Sequence, residues 1–208
     1  METMQAIFAR KTIRDFQEKA IPVEMLETLL SAGLKAPSNN HMRQWEFILL
    51  QDRQKRIRLL DQLLHPVGEN GALGIINTWG LKDEDQRAMY LDAIPKQYAM
   101  LAQAACLILP CFNQPSPLLL PKTLSDLNAF ASIWMCIENI LIAAADVGIS
   151  GVVRIPMEDE REKLKTLLGI PDAYEIPCFL ALGYPAADAH SAKQVQIDLQ
   201  QKIHLDQW

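Results

Sequence analysis

Residues 129–147, AFASIWMCIENILIAAADV, constrain the fold of this chain more than any other stretch. The segment is long enough to cross a lipid bilayer as a helix. It also carries Glu138, Asn139 and Asp146, and a carboxylate near the centre of a bilayer is costly. The sequence therefore predicts a buried helix of a soluble protein, with no membrane partner.

The charge balance argues against two further classes of protein. The formal net charge of the 208-residue chain is −5. A general nucleic-acid binder needs positive surface to neutralise phosphates, and a protein held on membranes by a cationic surface needs it as well. The first residues, METMQAIFARK, lack an apolar run behind a basic start, so no secretory signal is predicted. We expect a cytoplasmic protein without a nucleic-acid partner.

The cysteines and histidines do not suggest a metal site. The four cysteines lie in apolar runs without a C-x-x-C pair, which is typical of buried, reduced thiols in a cytoplasmic protein. The four histidines are far apart and lack the spacing of metal ligands, so no metal is predicted. These residues are Cys106, Cys111, Cys136, Cys178, His41, His65, His190 and His204.

Strand-like apolar runs alternate with helical patterns along the chain. The predicted strands are residues 45–52, 105–112, 150–155 and 177–184. The predicted helices are residues 2–9, 22–36, 53–64, 84–104, 125–147 and 158–169. Strands separated by helices indicate an α/β or α+β protein with helices on both sides of a sheet. The length suits one domain over residues 1–208, and no repeat or boundary divides it.

Two segments fall outside this pattern. Residues 65–81 hold four of the nine glycines and are predicted to be a loop or a flexible lobe. Together with the helix that follows, residues 65–104 are predicted to form a mobile lobe. Within it, GENGALG is neither G-x-G-x-x-G nor a P-loop, which leaves little support for a nucleotide-binding dehydrogenase fold. Residues 186–208 are a polar tail, which we expect to wrap as an arm over something larger, such as a partner subunit.

The stretch ARKTIRDF, residues 9–16, holds three cations in an acidic chain: Arg10, Lys11 and Arg14. The cluster has two interpretations. With the carboxylates nearby it is a mixed, solvated surface, which is the commoner situation for such a run. Alternatively it is an anion clamp, in which arginine binds phosphate with two hydrogen bonds and Thr12 adds a hydroxyl.

Motifs for other catalytic machinery are missing from the sequence. There is no G-x-S-x-G nucleophile elbow, and one sequence cannot pair the scattered carboxylates. The chain therefore has the profile of a protein whose bound cofactor carries the chemistry.

Four landmarks occur in order along the chain. The motif R-x-[ST]-x-[RK]-x-F covers residues 10–16, and APSNN at 36–40 precedes a strand that begins at Trp45. A small-residue helix, a glycine and a strand follow at 138–153, and LGYP stands at 182–185 ahead of the polar tail. In this order, the four landmarks resemble the flavin-dependent nitroreductase family.

The resemblance implies a fold and an assembly. The fold is α+β with three layers (α-β-α), in which helices flank a central, mostly antiparallel sheet. The assembly is a homodimer that binds FMN in clefts at its interface and exchanges its C-terminal arms. NAD(P)H is the implied co-substrate.

The resemblance also assigns roles to the cationic stretch. It implies that Arg10 contacts the FMN phosphate and that Lys11 and Thr12 lie along the phosphate–ribityl chain. It places Arg14 near flavin N1 and the C2 carbonyl. Two-electron reduction puts negative charge there, and a fixed cation stabilises that charge.

A second set of implied contacts lies in the loop after the second helix. Pro37, Ser38 and Asn39 would lie against the ring system; an ordinary turn at the end of a helix is the alternative. Many relatives read N-x-Q-P-W before the strand, whereas this chain has the larger residues of HMRQW. We expect this departure to reshape a substrate pocket around His41 and Arg43; a solvent-exposed loop histidine is the alternative for His41.

The remaining implied contacts come from later in the chain. Backbone near Gly151 would cross the ring, with an N–H from residues 153–155 near flavin N5. For Arg154 a surface or dimer-interface role is the alternative. Lys193, placed by its distance from LGYP, would bring a further cation to the phosphate.

Together these implications predict an FMN-dependent oxidoreductase that needs no catalytic side chain. Hydride from NAD(P)H would pass to an electron-poor small molecule, such as a nitroaromatic or a quinone, by ping-pong turnover. One alternative is a non-catalytic flavin-binding, storage or regulatory module on the same fold. Another is an offshoot of the family that degrades flavin or removes halogen from an aromatic.

Overall fold

An antiparallel sheet lies at the centre of the fold. The structure is a computed structural model that describes residues 2–193 and 195–208. Within those residues the strands are β1 (Trp45–Leu50), β2 (Cys106–Asn113), β3 (Ser150–Arg154), β4 (Tyr174–Glu175) and β5 (Phe179–Gly183). The order across the sheet is β1-β2-β5-β3, β4 pairs with the end of β2, and every pair is antiparallel.

Helices cover both faces of this sheet. In the described part of the chain they are α1 (Thr3–Ala9), α2 (Val23–Gly33), α3 (Arg53–Leu63), α4 (Glu69–Thr78), α5 (Glu84–Gln103), α6 (Asn128–Asp146) and α7 (Glu158–Leu168). Helices α2 and α6 pack in the apolar cluster on one face, and α3, α5 and α7 in the cluster on the other. The predicted three-layer α+β fold is confirmed.

The central strands explain why the layers hold together. In β2 and β5 nearly every side chain is buried, including Leu107, Leu109 and Leu180. A strand that is covered on both faces becomes a continuous apolar run instead of an alternating one. The apolar runs in the sequence therefore marked these strands correctly.

The cationic segment runs along the outer edge of the sheet beside β3. Thr12 forms a parallel bridge with Gly151, and the Ile13 N–H donates to the Gly151 carbonyl at 3.3 Å. A Cβ on Gly151 would lie 2.5 Å from Leu141 Cδ2, so a side chain there would force Leu141 to move. Thr12 and Ile13 thus attach the cationic segment to the edge of the sheet.

Close packing of α2 on α6 sets the position of the loop that follows α2. Gly33 is the last residue of α2, and a Cβ there would lie 2.7 Å from Ile140 Cγ1 and 3.0 Å from Cys136 Sγ. Any side chain at this position would push the two helices apart. The loop after α2 begins only a few residues later, so its position depends on this contact.

Helix α6 is the apolar segment that the sequence placed in a core. By length and composition alone, Leu124–Asp146 passes as a membrane-spanning helix, and 33% of its most apolar window is buried. Its inner face, with Ile133, Ile137 and Ile140, is buried in the cluster that contains α2. The prediction of a packed core helix is therefore confirmed for that face.

The prediction of a loop at residues 65–81 is wrong for residues 69–78, which form α4. Ala72 and Ile76 are fully buried and pack with Ile94 of α5. Glycine lowers helix propensity, but this apolar pairing outweighs that cost. The two-residue strand β4 also escaped prediction, because its residues pair only with the end of β2.

The cysteines are buried free thiols, as the sequence predicted. Burial raises the pKa of Cys106 and Cys136 to about 12 and the pKa of Cys111 to about 11. Cys178 is shifted in the same direction for the same reason. At neutral pH the thiolate form, which is the nucleophile, is therefore scarce.

Candidate functional site

Two of the predicted phosphate-binding cations share a small cavity at the sheet edge. Arg10 and Lys11 line a space of about 160 Å³ together with Ser150 and Gly151. Arg10 follows α1, and the bridge of Thr12 to β3 holds the segment in place. Of the predicted contact residues, Arg10, Lys11 and Gly151 thus line one cavity, and Thr12 is bonded beside it.

The charges in this cavity suit a phosphate group. The Nε atom of Arg10 lies 3.2 Å from Glu138 Oε1, in a pair whose side chains are 34% and 51% exposed. An ion pair this exposed contributes little stability, so an incoming phosphate competes with it easily. Lys11 is exposed and makes no ion pair within residues 2–193 and 195–208. Two cations and the hydroxyl of Ser150 make a suitable donor set for a phosphate.

Arg14 lies further along the same segment and points to α5. Its Nη2 atom lies 3.9 Å from Met89 Sδ, and the residue is partly buried. Burial lowers the pKa of Arg14, whereas the negative charges of Asp92 and Asp15 act against that shift. Arg14 makes no ion pair at contact distance within the described chain, so its guanidinium keeps donors for a ligand.

The predicted ring-contact loop forms a second, separate site. The Asn39 N–H donates to Ser132 Oγ at 3.2 Å, and Asn128 Nδ2 donates to Asn39 Oδ1 at 3.2 Å. The Arg43 N–H donates to Ser38 Oγ at 3.2 Å. Ser38, Asn39 and Arg43 line a polar cavity of about 320 Å³.

Two residues of this loop have unusual backbone conformations. His41 has φ of 56° and Arg43 has φ of 44°, in the left-handed region that residues with a Cβ rarely occupy. Such conformations cluster at functional sites. Of the two predicted substrate-pocket residues, only Arg43 lines the cavity; His41 is exposed, and Pro37 is exposed at the start of the loop.

Within one chain, the loop and the cations lie on different stretches of α6. The loop is anchored at Ser132, whereas the cavity of Arg10 reaches α6 at Leu141 and Ala145. Leu141 is nine residues from Ser132, or about 14 Å along the helix axis, and Glu138, which pairs with Arg10, is six residues from Ser132, or about 9 Å. No residue lines both cavities. The single chain thus presents two separate cavities.

Lys193 lies apart from the cavity of Arg10. Its Nζ atom is 2.7 Å from Asp85 Oδ2, in a pair whose side chains are 74% and 43% exposed. Asp85 is one helical turn from Met89, which contacts Arg14. The tail cation therefore lies closer to the part of the segment that holds Arg14.

The end of β3 holds a buried ion pair that the sequence did not reveal. Both Arg154 Nη atoms lie 2.7 Å from the Glu160 carboxylate oxygens, and Arg154 Nε donates to Gln97 at 3.0 Å. Glu160 also accepts from the Met157 N–H at 2.8 Å. The Arg154 side chain, for which a surface or dimer-interface role was the alternative to a place beside the flavin, links β3 to α7 and α5 within its own chain.

An apolar cavity lies beside this turn. It measures about 510 Å³, a volume typical of small-molecule sites. Trp79 and Tyr98 line it from the lobe, and Ile155 and Met157 line it from the turn. The sequence could not reveal it, because one wall is formed by α4, which was predicted to be a loop. Among the described residues, no group of three or more His, Cys, Asp or Glu side chains could hold a metal ion.

Comparison with known proteins agrees with the fold. A protein of Methanothermobacter thermautotrophicus, provisionally named an NADH dehydrogenase/NAD(P)H nitroreductase, is 26% identical over 216 residues, which cover 100% of this chain and 88% of the relative. The structure is also similar to that of an oxidised iodotyrosine deiodinase bound to FMN and 3-iodo-L-tyrosine. The TM-score is 0.71 at 17% identity, over 99% of this chain and 100% of that one.

A third similarity is to the NADPH:FMN oxidoreductase of Vibrio harveyi in complex with NAD⁺. Here the TM-score is 0.70 at 20% identity, over 99% of this chain and 77% of that one. The family model described as "Nitroreductase family" matches residues 7–184, a range that contains the cationic segment, the loop, α6 and β3. On this match over most of its length, the chain belongs to the nitroreductase family.

Proposed function

We propose that this protein is an FMN-dependent oxidoreductase that takes hydride from NAD(P)H and passes it to an electron-poor small molecule. The observation that carries the proposal is the fixed line of cations at the sheet edge, with Arg10 and Lys11 at one cavity and Arg14 further along. Family membership gives this line its ligand, because one relative in structure binds FMN and another is an NADPH:FMN oxidoreductase.

The residues of the line have different tasks in this proposal. Arg10, Lys11 and Thr12 bind the phosphate end, which is negatively charged at all times. Arg14 lies where negative charge is present only after reduction, so it favours the reduced state. FMN supplies the hydride chemistry when bound, and the chain contributes charge, positioning and exclusion of water.

We further propose that the complete site needs two copies of the chain. The loop cavity of one copy (the loop half-site) would meet the Arg10 cavity of the other (the cation half-site) across an isologous interface. The apolar outer surface of α1 supports this, since Ile7 and Phe8 are 42% and 75% exposed. The tail supports it as well: Leu205 and Trp208 are 82% and 100% exposed, as expected of an arm that packs on a partner.

The acceptor is proposed to be a planar molecule of low charge, and the enzyme to act by ping-pong turnover in the cytoplasm. The cavity beside the turn after β3 is lined mainly by apolar and aromatic side chains, which favour such a molecule. Arg43 lines the polar cavity of the loop and is proposed to contact an acceptor that carries a nitro or carbonyl oxygen.

Anaerobic mixing with NADH or NADPH tests the proposed activity. We expect the purified protein to be yellow, to lose its flavin absorbance with at least one nucleotide, and to recover it when menadione or a nitrofuran is added. Recovery in a second mixing step, after the nucleotide has left, would support ping-pong turnover. A yellow protein that neither nucleotide bleaches would instead favour the non-catalytic flavin-binding module.

The division of roles between Arg10 and Arg14 gives a second expected result. Arg10→Ala should weaken binding of oxidised FMN by roughly 10- to 100-fold, the value of one or two charge-assisted hydrogen bonds. Arg14→Ala should lower the flavin midpoint potential more than it weakens binding. Equilibrium dialysis and redox titration measure the two effects. Arg58→Ala, which removes an exposed arginine on α3, is the matched control. Equal effects of both variants on affinity, without a change in potential, would contradict the division.

A further inference from the structure

One face of α5 contacts the segment that carries Arg14. The residues Asp85, Met89, Asp92 and Lys96 follow each other at spacings of four, three and four, so they form one stripe along the helix. Asp85 binds Lys193 of the tail, and Met89 contacts Arg14. The stripe therefore lies along the proposed flavin site.

Two carboxylates act electrostatically on Arg14. Asp92 comes from the stripe and Asp15 from the segment itself, and both raise the pKa of Arg14 against the effect of burial. Tyr90 is the other titratable group that acts on Arg14. Left alone, two carboxylates would more than cancel the one positive charge that Arg14 offers to a ligand.

Lys96 binds both of these carboxylates. Its Nζ atom lies 2.8 Å from Asp15 Oδ2 and 2.6 Å from Asp92 Oδ1, and the three side chains are 24–34% exposed. Burial works to lower the pKa of Lys96, but the hydrogen bonds to Asp15 and Asp92 outweigh it and hold the pKa above its ordinary value. Lys96 is therefore charged at neutral pH, and the four groups are neutral together.

We propose that Lys96 is a positioning residue that keeps the charge of Arg14 available to the bound flavin by neutralising Asp15 and Asp92. The proposal deepens the function proposed above and rests on it. Lys96 acts through the other three side chains, without a contact to the reacting atoms. One contact fixes this part of α5 to β3: Arg154 Nε donates to Gln97, the residue next to Lys96, at 3.0 Å.

Redox titration of the FMN-loaded protein tests this role through three variants. Lys96→Met leaves a net negative cluster beside the flavin and should lower the midpoint potential. Asp92→Asn leaves a net positive cluster and should raise it. In each case we expect the ratio of affinities for reduced and oxidised FMN to change about tenfold, or about 30 mV for a two-electron couple. The double variant restores neutrality and should return the potential to the wild-type value.

The controls separate electrostatics from loss of structure. Lys55→Met removes an exposed lysine on α3 and should leave the potential unchanged. In every variant, the affinity for oxidised FMN should change by a smaller factor than the affinity for reduced FMN. Opposite shifts that cancel in the double variant support the proposal, because a purely structural role would move both single variants in the same direction. Bound FMN with the same potential in every variant overturns this inference alone, whereas a protein that binds no FMN overturns the proposed function with it.

Discussion

Replacing Glu160 by alanine is expected to lower the free energy of unfolding by about 3–5 kcal/mol, the cost of leaving one member of a buried ion pair without its partner. Glu160 and Arg154 are only 7% and 10% exposed, and they share two hydrogen bonds of 2.7 Å. The substitution also removes the acceptor of the Met157 N–H. Urea denaturation followed by circular dichroism measures the change.

Two further variants make this result specific. Asp159→Ala removes an exposed carboxylate from the same helical turn, whose pair with Lys163 is long at 3.6 Å, and should cost less than about 1 kcal/mol. The double variant Arg154→Met/Glu160→Leu replaces both charges by apolar groups and should be more stable than Glu160→Ala. If the free energy of unfolding of Glu160→Ala lies within about 1 kcal/mol of the wild-type value, the pair does not stabilise the turn after β3.

A mixed dimer of two defective chains is expected to recover one functional FMN site. One chain carries Arg10→Ala, which damages the cation half-site, and the other carries Asn39→Trp, which fills the cavity of the loop half-site. If each site joins the two halves from different copies, one site of the mixed dimer receives both defects and the other receives none. The purified mixed dimer, isolated through two different tags, should therefore bind about one FMN per dimer.

The same experiment distinguishes the other architecture clearly. If each site were built within one chain, every site in the mixed dimer would carry a defect. FMN content would then be as low as in the two parent homodimers, at an FMN concentration that saturates the wild-type protein. The parents also serve as controls for folding, since each should remain dimeric in sedimentation experiments. A monomeric wild-type protein would contradict the two-copy site directly.

The layers of this fold could be predicted because buried strands and helices have recognisable patterns of apolar residues in the sequence. The strand at residues 105–112 is apolar on both faces, and the structure buries both faces of β2 at the centre of the sheet. Helix α4 was missed because its signal is the packing of Ala72 and Ile76 on α5, a tertiary contact that glycine content hides. Local composition indicates local conformational preference. A helix that is stabilised mainly by packing on its neighbour has a weak local sequence signal.

The candidate site was only partly predictable for a related reason. The motif at residues 10–16 groups Arg10, Lys11 and Thr12 in sequence, and the structure keeps them together on the sheet edge. The link between Lys96 and Asp15 joins residues 81 positions apart, and the link between Arg154 and Gln97 spans 57. Long-range polar contacts of this kind depend on the path of the chain, which one sequence does not specify residue by residue.

The lack of a side chain at Gly33 affects more than the contact between α2 and α6. Because α2 packs directly against α6 there, the end of α2 sets the position of the loop that contacts the other copy in the proposed dimer. A bulkier residue at 33 would leave the cations of its own chain in place. It would displace the loop after α2, which completes the site of the other copy. A substitution in one chain would thus impair the active centre that contains the cations of the other chain.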